Sequence, residues 1–312
     1  MLSRRQFGAA AAAGLVAGGR ALAAADSIVG GVRVGVQTFS FRALDRRGDG
    51  DGDLTAVVAR AVADAGLGEC ELFAPHAEPR FGPPAPLGGI APAELQPALA
   101  RGRDALRQWR LSTSLDHFRT IRRTFEAAGV AIYAYNLSIN DSFSDAEIDR
   151  AFEMARAVGA SVLSSSSTLS VTRRVAPFAE RHGVTFAVHN GVRVGDPDAA
   201  GSTASLDAAT QISPRVRLNF DIGHYTAANL DPVAFLRDRL DRITHLHVKD
   251  RRRNNGEHVA WDTGDTPIRE VLALLKARRA PVVAMIEYEY AGARSPVEEV
   301  RACYDYIRKS LA

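Results

Sequence analysis

The stretch that decides the fold is residues 216–224, which read Val-Arg-Leu-Asn-Phe-Asp-Ile-Gly-His. Apolar side chains alternate with other residues along it, as in a β-strand whose two faces meet different surroundings. Three further stretches share this form, at 187–190 (Ala-Val-His-Asn), 245–250 (His-Leu-His-Val-Lys-Asp) and 285–289 (Met-Ile-Glu-Tyr-Glu). The pattern predicts four strands with one apolar face and with polar groups near their ends.

The polar groups on the second face are imidazoles and carboxylates: His189, Asp221, His247 and Glu287. Four such groups from four strand ends can converge on one divalent cation, so we expect these side chains to be metal ligands. Asp221 has an alternative role to that of metal ligand, because Asp commonly caps a following helix. We favour the ligand interpretation, since a buried carboxylate without a cation is costly.

Outward from these stretches, strand-like runs alternate with segments of helical periodicity. The predicted strands are 32–38, 69–73, 130–136, 161–166, 184–190, 216–222, 243–249 and 281–288. Apolar residues at i, i+3 and i+4 predict helices that include 54–65, 146–158, 233–240, 268–277 and 297–311. Alternation of this kind in a chain of this size predicts an α/β fold, a (β/α)8 TIM barrel, whose catalytic residues collect at the C-terminal strand ends.

Two connections are longer than a barrel requires. Residues 74–110 are rich in Pro and Gly, and we interpret them as a flap over the barrel mouth, because long loops are often functional. Residues 251–266 form a second insertion that is expected to cover the same mouth.

The first 25 residues are predicted to be a signal peptide rather than part of the barrel, which takes residues 26–312. Ser3-Arg4-Arg5-Gln6-Phe7 precedes an Ala- and Gly-rich run and small residues suited to cleavage, a pattern typical of twin-arginine export. The run is broken by Arg20 and is short of the ~20 strongly apolar residues of a stable membrane anchor. We therefore expect a periplasmic protein.

Charge argues against a nucleic-acid partner. The whole chain carries +3, but leaving out Arg4, Arg5 and Arg20 reduces 39 basic residues to 36, against 36 acidic residues. A broad basic surface for a phosphate backbone is not indicated. Cys70 and Cys303 show no metal-binding spacing, and we favour two buried thiols over a disulfide.

Further candidates surround the four predicted ligands. Glu287 or Glu71 is expected to act as the base, and Lys249 to hold a substrate oxygen, although a lysine at a strand end can also reach solvent. His245 is expected to support a ligand or to lie in the core. The candidate substrate contacts are His224, Asn136, Arg251 and His76, of which His76 can equally belong to a salt-linked rim.

Taken in order, these motifs resemble the sugar phosphate isomerase/epimerase family, which has a xylose-isomerase-like barrel. The resemblance covers essentially the whole chain after the leader. It is carried by Val-Gly-Val-Gln-Thr-Phe-Ser-Phe-Arg at 34–42, Cys-Glu-Leu at 70–72, Phe-Asp-Ile-Gly-His at 220–224, the 245–250 stretch, Gly-Asp at 264–265 and Ile-Glu-Tyr at 286–288.

The resemblance implies one divalent ion, often manganese, held by two glutamates, an aspartate and a histidine. Asp221, His247 and Glu287 match three of these ligands, and His224 matches a substrate-contacting histidine. At the fourth position this chain carries His189 where the family's epimerases carry glutamate. Imidazole suits manganese, cobalt, iron or zinc better than magnesium, and the change removes one acid/base carboxylate.

The expected function is therefore metal-dependent isomerisation or epimerisation of a free sugar or glycoside by proton abstraction next to a carbonyl. Two alternatives stay open: a 3-keto-glycoside lyase that eliminates its aglycone, and a non-catalytic periplasmic carbohydrate-binding protein. A nucleic-acid lyase or endonuclease on the same barrel fits this chain less well, because the sites of such relatives have more metal ligands and a basic groove. The sequence leaves the oligomeric state open, including a homo-oligomer.

Overall fold

Eight parallel strands form a closed barrel in the computed structural model, which describes residues 27–44, 54–83 and 91–312. In chain order they are β1 (Val32–Gln37), β2 (Glu69–Phe73), β3 (Ala131–Asn136), β4 (Val162–Ser165), β5 (Thr185–His189), β6 (Val216–Asp221), β7 (Ile243–Val248) and β8 (Val283–Ile286). Each strand pairs with the next, and β8 pairs with β1, which closes the barrel. The predicted fold class is confirmed, and every strand bound lies within two residues of its prediction.

Helices follow the strands and surround the barrel. They are α1 (Leu54–Asp64), α2 (Pro92–Ser112), α3 (Leu115–Ala127), α4 (Asp145–Ala157), α5 (Leu169–His182), α6 (Thr203–Gln211), α7 (Ile222–Ala227), α8 (Pro232–Arg239), α9 (Ile268–Arg278) and α10 (Pro296–Leu311). Ser144 begins α4 and Ser295 begins α10 in reciprocal capping boxes with the glutamate three residues on.

Alternation along the strands divides the interior into two zones. On β6, Leu218 and Phe220 point outward into the layer between barrel and helices, where the Phe220 ring stacks on Phe235 of α8 at 4.5 Å between centroids. Asn219 and Asp221 lie on the opposite parity and point toward the barrel axis. The apolar layer therefore holds the fold together, while the inner face is free to carry polar groups.

The long connection between β2 and β3 differs from its prediction. A short 3-10 turn spans Ala74–His76, and α2 occupies the second half, so a loop over 74–110 is wrong for most of the stretch. The periodicity of α2 was obscured because the helix is largely polar and contains Pro97. Residues 84–90 lie outside the described residues.

The second insertion is ordered around a short antiparallel pair, Asp250–Arg251 with His258–Val259. The Asp250 carboxylate accepts hydrogen bonds from the backbone N–H groups of Gly264 and Thr266, at 2.9 and 3.1 Å. An ideal Cβ on Gly264 would lie 2.1 Å from Asp250 Oδ1, which explains why a glycine stands there.

Two smaller expectations have different outcomes. Cys70 and Cys303 are buried and free, as predicted, and burial raises the pKa of the Cys303 thiol to about 12. The predicted leader lies outside the described residues. Of the helices that are described, none has both the length and the apolar character that a membrane span requires.

Candidate metal centre

The ends of four neighbouring strands, β5 to β8, bring the four predicted ligands together. One ligand atom from each of His189, Asp221, His247 and Glu287 lies within 4.8 Å of all the others. His189 Nε2 is 3.3 Å from Asp221 Oδ2, and His247 Nδ1 is 3.0 Å from Glu287 Oε2. All but His189 are buried, so the cluster lies at the bottom of the barrel mouth.

Two of these atoms, on His247 and Glu287, are buried with incomplete hydrogen bonding. His247 Nδ1 and Glu287 Oε2 lie 3.0 Å apart without a well-directed hydrogen bond between them, and the Lys249 ammonium is 2.7 Å from the same Oε2. Buried polar atoms are normally satisfied, so a cation held between the two would supply the interaction that the imidazole nitrogen lacks. Two imidazole nitrogens and two carboxylate oxygens form a donor set that fits manganese, cobalt, iron or zinc.

Asp221 has a geometry that suits both of the roles considered for it. Its Oδ1 accepts the backbone N–H of His224 at 2.6 Å and so caps α7, whereas Oδ2 faces the cluster. Gly223 follows because α7 packs closely on β7: a Cβ there would lie 2.5 Å from Lys249 Cγ. The glycine is thus needed for close packing rather than for an unusual turn.

The second nitrogen of each candidate histidine ligand is held by a neighbour. His189 Nδ1 lies 3.0 Å from the Ser166 hydroxyl. His247 Nε2 contacts the Glu71 carboxylate and lies 3.0 Å from the Asn219 amide nitrogen. Such contacts fix the orientation of metal-binding imidazoles, so both rings are preorganised.

Glu71 is the centre of a buried network that joins five strands. Its carboxylate contacts Ser164 on β4 and both His245 and His247 on β7. It also accepts from the amides of Asn136 on β3 and Asn219 on β6, both at 3.3 Å. Burial would raise the pKa of Glu71, but the histidines outweigh burial and hold it well below its usual value.

Lys249 places a positive charge beside the cluster. Its ammonium is 2.8 Å from Asp221 Oδ2 and 2.7 Å from Glu287 Oε2, and it also contacts Glu289. Burial opposes the charged form, but these carboxylates outweigh burial and raise the pKa of Lys249. The pKa values of Asp221 and Glu287 are lowered against burial, by His224 and Lys249 for the first and by His247 and Lys249 for the second.

His224 is oriented by Arg251. The guanidinium, which has donors only, donates to His224 Nδ1 at 2.8 Å. This contact is closer than the 3.4 Å between Lys249 Nζ and His224 Nε2, so Nε2 carries the ring proton. Nε2 lies 3.7 Å from Asp221 Oδ2. Burial lowers the pKa of His224 well below its usual value, and Lys249 adds to the effect. A neutral imidazole therefore directs an N–H donor toward the candidate ligands.

One predicted site residue is not part of this arrangement. His76 is buried, its Nδ1 lies 3.1 Å from the Thr38 hydroxyl, and its ring packs edge-on against Phe73. These contacts are structural, and they do not join His76 to the cluster. Asn136 contacts the cluster only through Glu71, and Arg251 does so through His224.

Sequence reasoning gave no role to three contributors, Asn219, Ser164 and Ser166. Asn219 shares the inward parity of Asp221, two residues along β6, and that signal could have identified it. Ser164 belongs to a serine run that lacks a nucleophile motif, so nothing local distinguished it. Glu289, two residues after Glu287, also takes part, because it contacts Lys249 and lies 3.3 Å from His258 Nδ1.

Solved structures with the same fold include several sugar enzymes. A sugar phosphate isomerase/epimerase from Parabacteroides distasonis is 15% identical, with a TM-score of 0.60 over 88% of this chain and 95% of that one. A D-psicose 3-epimerase is 13% identical, with a TM-score of 0.56 over 82% and 93%. A 3-keto-D-glucoside 4-epimerase from E. coli is 12% identical, with a TM-score of 0.58 over 89% and 99%. No curated protein sequence matches the chain.

At such low identities these likenesses establish the fold alone. The family model described as xylose isomerase-like TIM barrel matches residues 59–310, which is most of the chain. This match agrees with the closed barrel and with the resemblance read from the motifs. The chain belongs to the xylose isomerase-like TIM barrel family.

Proposed function

We propose that the protein is a divalent-metal-dependent sugar isomerase or epimerase that removes a proton next to a carbonyl group. The observation that carries the proposal is the convergence of two imidazoles and two carboxylates within 4.8 Å at the mouth, where the buried His247 Nδ1 has no hydrogen-bond partner among the described residues. A cation held there would polarise a substrate carbonyl and make the neighbouring proton easier to remove. Fold neighbours that include sugar isomerases and epimerases support the same class.

Glu287 is the better candidate for the base. Its Oε2 faces the cluster, 3.0 Å from His247 Nδ1, and its side chain keeps 8% exposure against 0% for Glu71. Glu71, in contrast, is completely buried and already accepts from several donors, so it is suited to orienting His247. A base must reach the proton that it removes, and the Glu71 carboxylate is occupied at His247 Nε2, the ring nitrogen that does not face Glu287.

The remaining polar groups are suited to hold substrate oxygens. His224 offers a neutral N–H, and the Lys249 ammonium lies 3.4 Å from the same nitrogen. Together they can donate to the oxygen on which negative charge grows as the proton leaves. We propose manganese as the ion and, from the leader, a periplasmic location with a free sugar or glycoside as substrate.

The test is solvent-proton exchange. Protein without its leader, loaded with Mn²⁺, is incubated in D₂O with a keto-sugar and with a 3-keto-glycoside. Deuterium incorporated next to the carbonyl without loss of the aglycone supports isomerisation or epimerisation. Release of the aglycone shows that the electron pair left by the proton expels the β-substituent, which makes the protein a lyase.

The matched control is Glu287→Gln, which keeps the shape of the side chain and removes the base. It should abolish the label in either reaction. If wild-type protein gives neither label nor aglycone release, and sugar binding is indifferent to a chelator, the proposal is refuted in favour of a carbohydrate-binding protein. Failure to cut abasic DNA is expected throughout.

A further inference from the structure

A cavity lies between α2 and the C-terminal ends of β2 and β3, across the barrel mouth from the strand ends that carry the candidate metal ligands. Its volume is about 330 Å³, which exceeds the space that one aromatic ring needs, since engineered cavities of ~150 Å³ hold benzene. Phe73, Leu106, Leu137 and Phe143 line it with apolar surface. Binding pockets for small organic groups have this size and character.

The cavity adjoins the polar network of the barrel. Asn136 lines the cavity, and its amide donates to Glu71 Oε1 at 3.3 Å and to the Ser164 hydroxyl at 3.0 Å. Phe73 follows Glu71 by two residues on β2, so both side chains lie on the same parity of the strand, with Phe73 nearer the mouth. Asn136 and Glu71 therefore link the wall of the cavity to His247 of the candidate metal centre.

The charged groups in the cavity wall are mostly paired with one another. Arg110 donates to both oxygens of Glu78 at 2.8 and 2.7 Å, and Arg107 donates to Glu147 at 2.8 Å. Arg103 is exposed at the edge. An apolar group entering the cavity would not strip water from an unpaired buried charge, and an anionic group would find the inner arginines already neutralised.

We propose that this cavity is the subsite for an apolar, ring-sized aglycone, and that the substrate is a glycoside rather than a free sugar. This inference rests on the proposed function, because the sugar ring is taken to lie over the candidate metal centre. A free monosaccharide would leave the cavity unused, whereas a glycoside with a planar apolar aglycone would fill both places.

The experiment compares methyl and phenyl D-glucosides, as both anomers, by calorimetric titration of the protein with and without Mn²⁺. The phenyl compound should bind at least about tenfold more tightly than the methyl compound, because an apolar ring leaves water on entering the cavity. Leu106→Gln should reduce this ratio to about two or less, since it places an amide in the apolar wall.

Leu111→Gln is the matched control, because Leu111 is on the same helix, is 40% exposed and does not line the cavity. It should keep the wild-type ratio. Phe143→Leu, on the opposite wall, should also reduce the ratio and guards against a folding defect in one variant. Equal affinities for the two glucosides in wild-type protein, or an unchanged ratio in both wall variants, would overturn the proposal.

Failure of this inference can be told apart from failure of the proposed function. A phenyl preference without solvent-proton exchange would keep the aglycone subsite and refute the catalytic proposal. Proton exchange without a phenyl preference would do the reverse.

Discussion

Replacing Lys249 with methionine tests whether this lysine supplies the positive charge of the candidate metal centre when no ion is bound. The ammonium is almost completely buried and lies 2.8 and 2.7 Å from oxygens of Asp221 and Glu287. Methionine keeps most of the length of the side chain but removes the charge. Removing one partner of a buried ion pair costs ~3–5 kcal/mol, and Glu289 loses one of its contacts as well, so we expect a loss of about 4 kcal/mol in unfolding free energy.

Bound metal should reverse this loss. Since the ammonium lies within hydrogen-bond distance of two candidate ligand oxygens, an ion at the site must compete with it. Without the lysine, repulsion of a divalent ion disappears, and we expect Mn²⁺ to bind at least about tenfold more tightly, a difference of ~1.4 kcal/mol. In saturating Mn²⁺ the difference in unfolding free energy between variant and wild type should therefore become much smaller.

The assay is urea unfolding in EDTA and in excess Mn²⁺, together with calorimetric titration of Mn²⁺ into metal-free protein. Lys309→Met, at an exposed position in α10, is the matched control and should change neither quantity. Unchanged stability of the Lys249 variant in EDTA, or weaker binding of Mn²⁺, would refute the reasoning.

Three further changes have distinct expected results. Burial lowers the pKa of His76 from 6.5 to about 4, so the unfolded chain binds more protons between these values and stability falls as the pH drops through this range. His76→Gln should remove about 3 kcal/mol of that fall in urea unfolding at pH 7 and pH 4. Gly264→Ala should lower the unfolding free energy by ~1–3 kcal/mol, because its Cβ would meet the Asp250 carboxylate. His189→Glu should strengthen binding of Mg²⁺ relative to Mn²⁺ in calorimetric titrations, since a carboxylate is a harder ligand than imidazole.

Each of these results has a control or a contradicting outcome. Gly191→Ala is the matched control for Gly264→Ala, because a Cβ added at Gly191 meets nothing within 4 Å. It should leave the unfolding free energy unchanged. An acid-induced loss in His76→Gln equal to that of the wild type would show that another group is responsible. If the ratio of the Mg²⁺ and Mn²⁺ affinities is unaltered in His189→Glu, this residue does not bind the ion.

The barrel could be predicted from sequence because its strands show a clear alternation of apolar and polar residues. Leu218 and Phe220 alternate with Asn219 and Asp221 on β6, and the same two-residue period recurs on the neighbouring strands. The predicted ligands come from strand ends for the same reason, since parallel strands in a barrel deliver their last residues to one face.

What the sequence did not reveal depends on contacts between distant segments. Helix α2 was hidden because its polar composition and Pro97 resemble a loop, and its place beside β2 and β3 makes it one wall of the cavity. The role of Glu71 was also hidden, because Ser164, Asn219 and His245 are 93, 148 and 174 residues away along the chain and no local pattern connects them. Strand parity also did not indicate that Glu71 contacts His247 Nε2, the ring nitrogen that does not face Glu287.

The Glu71 network couples the cavity between β2 and β3 to the candidate metal centre. One carboxylate accepts from Asn136, which borders the cavity, and also contacts His247, which faces the candidate ion. A ligand in the cavity that displaces the Asn136 amide would change the hydrogen bond between Glu71 and the His247 imidazole. The affinity of the site for the cation would change as a result. Thermodynamic reciprocity then requires the cation to change the affinity of the cavity for that ligand by the same factor.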